Sequence, residues 1–311
     1  MIEIKKYNIE YKSIWDEFIN NSKNGTFMLK RDYMDYHSDR FVDCSLMFYE
    51  DGKLIAVMPA SLHENELRSH GGLTYGGMIS SNKLSTQKTL EIFEKLKDFL
   101  KEKNIKKLIY KRVPSVYYTY PSDEDLYALF RIGAKLIRRD ISTTIYLPDK
   151  IRFNERRRRN VKKAIKANLI FKETMDYESY FDILTEVLSS QHNAKPVHTV
   201  QEIKMLVKNF PQNIKLYASY NNDKMLAGCL IYETPTVAHA QYIANSKEGR
   251  ECGALDFVFD ELINKVYKDK TYFDFGISTE DNGKYLNHGL IEQKQEFGGR
   301  GIVYDFYELE V

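Results

Sequence analysis

Apolar residues recur along the chain with two periods, and the periods alternate. In "KTLEIFEKLKDFLKEK" the residues Leu90, Phe93, Leu96 and Leu100 fall on one helical stripe, and "IKKLIYKR" follows as a short strand. In "ALDFVFDELINKVY" the stripe is Leu255, Val258, Leu262 and Val266, and the strand that follows is "TYFDFG". A hairpin pattern precedes each helix. "YEDGKLIAVM" (Tyr49 to Met58) and "YNNDKMLAGC" (Tyr220 to Cys229) flank Asp51-Gly52 and Asn221-Asn222-Asp223 with apolar strands. Tyr49, Lys53 and Ala56 become Tyr220, Lys224 and Ala227 at one constant offset. The repeated order of elements carries more weight than these three identities. Two similar α/β halves joined near Pro148 are expected.

Composition places the chain in the ordinary globular class. Its 311 residues are 43% hydrophobic and 29% charged, enough for a substantial core and two domains. No apolar run reaches the roughly 20 residues that span a bilayer, and the start "MIEIKKYNIEYKS" has no signal-peptide core. A cytoplasmic location is expected. Cys44, Cys229 and Cys252 form no CxxC pair, and His192 and His198 in "HNAKPVH" lack a third ligand and the helical i, i+4 spacing, so no metal site is indicated.

The charge is uneven. Between Lys150 and Lys172 ten Lys or Arg face one acid, Glu155, a local +9 in a chain whose formal net charge is +2. That concentration points to a localised anionic partner: a diphosphate, a tRNA end, DNA or a lipid headgroup. Asn154 is placed to cap a helix whose Val161, Ala164 and Ile165 face inward, with Asn168 ending it in the left-handed conformation. A basic run of this kind is as a rule a solvated helix face.

The two-half layout, "RRNVKKA" opening the second half, "YFDFGIS" and the ending "GLIEQKQEFGGRGIVYDFYEL" resemble the Fem-type transferases and their relatives in the GNAT acyltransferase superfamily. The resemblance implies two tandem GNAT-like domains, each a twisted mixed sheet flanked by helices. It places the first at 1–148, completed by a C-terminal strand at 298–311, and the second at 149–297. It implies transfer of an acyl or aminoacyl group to an amine of a cell-wall or envelope-sugar precursor. The donor, aminoacyl-tRNA or acyl-CoA, is a co-substrate, with no bound cofactor. The partners are then a phosphate-bearing envelope precursor or amino sugar and, with an aminoacyl donor, tRNA; peripheral membrane contact is allowed, and no DNA and no transmembrane segment are expected. An acyl-CoA-dependent acetyltransferase on a small amine remains an alternative. So does a nucleic-acid-binding protein using 156–166, although the flanking chain supplies no other base-reading element for DNA.

Arg156, Arg157, Arg158, Arg159 and Lys163 are candidates for holding a phosphate-bearing substrate. Gly76 and Gly77 in "HGGLTYGGM" suit a loop approached by a ligand or by another backbone. In "NSKEGRECGALDF", Arg250, Gly253 and Ala254 are candidates for an anion nest at a helix start, or an ordinary turn and cap. Amine attack on an ester or thioester needs an acid, a base and donors for an oxyanion. "FDFGISTEDNGKYLNHG" offers Asp274, Glu280, Asp281, Tyr285 and His288, although Ser-Thr-Glu-Asp-Asn-Gly is also a normal exposed helix entry. Lys294 in "EQKQEFGG" matches a functional lysine of the Fem-type Phe-Lys-x-x-Phe-Gly pattern, with Gln293 where that pattern has Phe. In a helix over 283–297 it would share a face with Leu290, Ile291 and Phe297.

Overall fold

The computed structural model describes residues 1–192 and 195–311. The fold is mixed α/β and divides into two compact units. One comprises Met1–Ile141, Thr279–Tyr285 and Val303–Val311, the other Ser142–Ser278 and Leu286–Ile302. The chain passes between them inside the strands Lys135–Tyr146 and Arg300–Glu310. The junction expected near 148 therefore falls within a continuous strand and not in a linker. Residues 279–285, expected in the second domain, belong to the first unit.

In the first unit, strands Ile2–Lys6, Leu46–Glu50, Lys53–Met58 and Ile79–Ser80 form one sheet. Residues 306–310 of the last strand pair antiparallel with 107–111, so the chain end completes this unit's pairing. The helix Thr86–Glu102 buries Ile92, Phe93, Leu96 and Leu100 in the core with Phe48, Met58 and Leu108. Leu90 packs only at its margin.

In the second unit the order is Ile170–Thr174, Ile214–Asn221, Lys224–Glu233, Val237–Asn245, Tyr272–Ile277 and then residues 142–146. The helix Ala254–Glu261 buries Leu255 and Val258 against this sheet. A π-turn at Leu262–Val266 ends it. Because that turn is wider than an α-turn, Leu262 stays in the core while Val266 rotates off the expected stripe and is exposed.

Both predicted hairpins form, and they share an irregularity. Glu50 pairs with Lys53, and Asn221 with Lys224, around two-residue loops. In the first, Phe48 pairs with Ala56 and Tyr49 with Leu54, which leaves Ile55 as the extra residue. In the second, Ser219 pairs with Ala227 and Tyr220 with Met225, which leaves Leu226. The bulges fall at the same constant offset as the sequence repeat. A one-residue bulge reverses which face each later side chain occupies, so sharing it is stronger evidence of duplication than three matched letters.

Candidate functional site in the second unit

A cleft of about 360 Å³ opens in the second unit, within the size range of small-molecule sites. Its position follows from the sheet. The parallel strands Val237–Asn245 and Tyr272–Ile277 pair only from Val237–Tyr272 to His239–Asp274. Beyond that point they part, and Ile243 and Asn245 from one strand and Phe275 from the other line the opening. A parted parallel pair leaves main-chain donors and acceptors outside the ladder, where a ligand can meet them.

Lys294 lines this cleft. It lies on the helix His288–Gln295, which Asn287 caps through its side chain and the Leu290 N–H. The helix starts later than the expected 283 because Asp281, Asn282 and Gly283 all take positive φ in a tight turn. Lys294 is only 6% exposed. Its ammonium donates to the carbonyls of Gly276 and Ile277, both at 2.8 Å. An ammonium has three protons, and the third has no protein acceptor among the described residues. Burial lowers the Lys294 pKa to about 8, with nearby Asp274 opposing the shift. Phe259, Phe275 and Phe297 supply the apolar wall, with Phe259 5.0 Å from each of the other two ring centres.

The two carbonyls that hold Lys294 are set by a buried carboxylate. Asp274 accepts from Ser142 Oγ at 2.6 Å, Thr144 Oγ1 at 2.9 Å and the Gly276 N–H at 3.3 Å, and His239 Nδ1 lies 2.8 Å from its other oxygen. Burial pushes the Asp274 pKa up, but these hydrogen bonds and the histidine outweigh it and hold the carboxyl well below the usual range. Gly276 sits at φ +76°, which turns its carbonyl toward Lys294. Neither His239 nor this anchoring was legible in the sequence: the histidine is a strand residue 35 positions from its partner.

The basic helix Glu155–Lys166 divides by face. Asn154 caps it through the Arg157 N–H, and Asn168 takes φ +54° after it, as the sequence indicates. The inward stripe is Arg157, Val161 and Ala164, while Ile165 is 55% exposed, contrary to expectation. Arg157 takes the inward place because its guanidinium is neutralised there. It meets Asp256 at 3.0 Å and Glu296 at 2.8 Å and stacks 4.8 Å from the Phe297 ring centre. Arg157 and Asn160 line the cleft, as do Arg250 and Asp256. The buried Asn245 Oδ1, also in the lining residues, has no hydrogen-bond partner among the described residues.

The other candidates fall elsewhere. Arg156 pairs with Glu296, Arg158 donates to the Phe153 carbonyl, Arg159 and Lys163 are exposed, and none of the four lines the cleft. Gly253 takes φ +78° and joins two helices, and a Cβ there would stand 2.4 Å from the Asn160 carbonyl oxygen. The side-chain face of that expected nest is thus closed by the basic helix, and Ala254 is buried in the core. In the first unit, a Cβ at Gly76 would stand 2.2 Å from the Ser69 carbonyl oxygen and one at Gly77 2.7 Å from the Tyr110 ring. The approaching group is therefore protein. Glu280, Asp281 and Tyr285 are exposed residues of the first unit and are not among the residues lining the cleft. Among the described residues no cluster of His, Cys, Asp or Glu is arranged to hold a metal; the His192 side chain lies outside them. Among the described residues no helix is long and apolar enough to cross a membrane.

No family model matches the chain, and no curated protein matches it. Solved structures do. FemX superposes with a TM-score of 0.70 at 11% identity, over 99% of this chain and 97% of that one. L-PGS from Bacillus licheniformis gives 0.64 at 10% identity over 98% and 93%. A tandem GNAT protein from the clavulanic acid biosynthesis pathway gives 0.54 at 10% identity over 100% and 98%. The chain has the Fem-type, GNAT-like fold over essentially its whole length.

Proposed function

We propose that this protein is an N-acyltransferase that moves an acyl or aminoacyl group to the amine of a phosphate-bearing cell-envelope precursor or amino sugar. One observation carries the reading: Lys294 presents a buried ammonium with an unused proton in a cleft that also contains Arg157 and Arg250. The fold shared with FemX and a tandem GNAT protein supports the reaction class.

In the reaction the amine lone pair attacks the carbonyl carbon of an ester or thioester. The C–N bond forms, the C–O or C–S bond breaks, the amine loses a proton and the leaving oxygen or sulfur gains one. Lys294 donates to the oxygen that becomes negative in the tetrahedral intermediate. In so apolar a setting that contact is worth far more than in water. Arg250 draws the phosphate-bearing end, since the charge of Arg157 is already met by Asp256 and Glu296. A second donor reading, acyl-CoA, is favoured by the parted strands, whose unladdered main chain suits an extended, amide-bearing arm.

The test is turnover of a panel of amine acceptors with aminoacyl-tRNA and with acyl-CoA donors. The reading expects Lys294→Met to lower kcat/KM roughly 100-fold or more, the scale of losing an oxyanion donor. It also expects Arg250→Gln to raise KM for the phosphate-bearing substrate. Near-normal turnover by the Met variant removes Lys294 from the chemistry, and no transfer to any amine by the wild type rejects the reaction class.

A further inference from the structure

The cleft uses only the inward face of the basic helix, which leaves most of its charge unexplained. Arg159, Lys162, Lys163 and Lys166 stand at i, i+3, i+4 and i+7, one continuous exposed stripe. Arg159 lies 3.8 Å from Glu155, and Lys162, Lys163 and Lys166 make no ion pair among the described residues. Four cations on one stripe repel one another, a cost that an ordinary solvated face lowers by interleaving acids. Exposed aliphatic residues flank the stripe at its C-terminal end. Ile165 is 55% exposed and Ile170, at the start of the sheet-edge strand Ile170–Thr174, is 56% exposed.

We infer that this face docks on an anionic bilayer surface, with Arg159, Lys162, Lys163 and Lys166 over the headgroups and Ile165 and Ile170 entering the interface. The cations are complementary to acidic phospholipid, which attracts basic segments within a Debye length of its surface. The aliphatic flank favours lipid over nucleic acid, since a single-strand reader offers aromatic faces for stacking and branched aliphatic chains gain by leaving water for the acyl boundary. Arg157 and Asn160 line the cleft from other faces of the same helix, so docking would hold the cleft about one helix diameter from the lipid surface.

Co-sedimentation with vesicles tests this without reference to any enzymatic activity. The full chain is expected to sediment with phosphatidylglycerol-containing vesicles at low salt, to be released at high salt, and to remain in solution with pure phosphatidylcholine. Each basic residue near such a surface contributes on the order of 1 kcal/mol, about 5-fold in partitioning. The triple variant Lys162→Gln, Lys163→Gln, Lys166→Gln should therefore bind on the order of 100-fold more weakly. Ile165→Ser should weaken binding about 10-fold by removing inserted methyl groups. Circular dichroism of each variant checks that the fold is retained, as expected for exposed positions. Equal binding to neutral vesicles, no effect of the triple variant, or no sedimentation at low salt overturns the inference. Binding to duplex RNA without vesicle binding overturns it too and gives the face to nucleic acid.

Discussion

Each unit has a lysine whose ammonium is held by main-chain carbonyls, half-buried Lys111 and buried Lys294, and desolvation pushes both pKa values down to about 8. In the first unit Lys111 donates to His70 O, Gly71 O and Leu73 O at 3.1, 3.1 and 2.8 Å. All three protons are used, and the glycine-rich loop is tied to its strand. In the second unit Lys294 uses two and keeps the third in a cleft. Desolvation and a shifted pKa are therefore common to a structural clamp and a candidate catalytic donor. What separates them is the unused proton and the space beside it.

The sharpest way to break this comparison is to remove each ammonium while keeping its stem. Lys294→Met should lower kcat/KM roughly 100-fold or more and leave a folded protein. Lys111→Met should do the reverse. It strands three carbonyls at about 1–3 kcal/mol each, so chemical denaturation should show a loss of several kcal/mol, while turnover per folded molecule is retained. If both variants lose activity and stability in the same proportion, the distinction fails.

Asp274→Asn tests how the cleft lysine is held. In the proposed reaction the protonated Lys294 is the donor, so activity should fall as pH rises through about 8. Removing the Asp274 charge takes away what opposes the desolvation shift. The alkaline limb of the kcat/KM profile should then move to lower pH, with a loss of about 10-fold at neutral pH. An unmoved limb would show that Asp274 only packs.

Linkage gives a smaller effect common to both lysines. Each folded pKa, about 8, lies below the ordinary lysine value of 10.5. Between those values the unfolded chain binds more protons, so stability contributed by these sites should rise from about pH 8 to about pH 10.5. In Lys111→Met the slope measured by denaturation across that window should be shallower than in the wild type. The smallest effect is expected from Glu280→Gln, an exposed residue of the first unit, with kcat/KM within about 2-fold of wild type. A drop of 100-fold would return that carboxylate to the chemistry.

The sequence by itself determined the parts whose physics is local. Hairpin turns depend on residues that tolerate positive φ, and Asp51-Gly52 and Asn222 are such residues. Helix phase follows apolar spacing, and the ends of the basic helix follow from Asn154 and Asn168. The duplication was legible because a constant offset survives in the letters, and Lys294 was a candidate because its expected apolar neighbours and the resemblance to the Fem-type pattern coincide there. Tertiary structure decided what depends on partners distant in the chain. Arg157 turned inward, and Ile165 outward, because Asp256 and Glu296 neutralise the arginine, and neither acid marks itself in the sequence. Gly76, Gly77 and Gly253 left ligand and protein approach both open in the sequence, since a glycine approached by protein and one approached by phosphate have the same local sequence. His239 gained its place from Asp274 across a parallel pair of strands. The cleft itself exists because that pair parts, which is a property of two strands and is encoded in neither one.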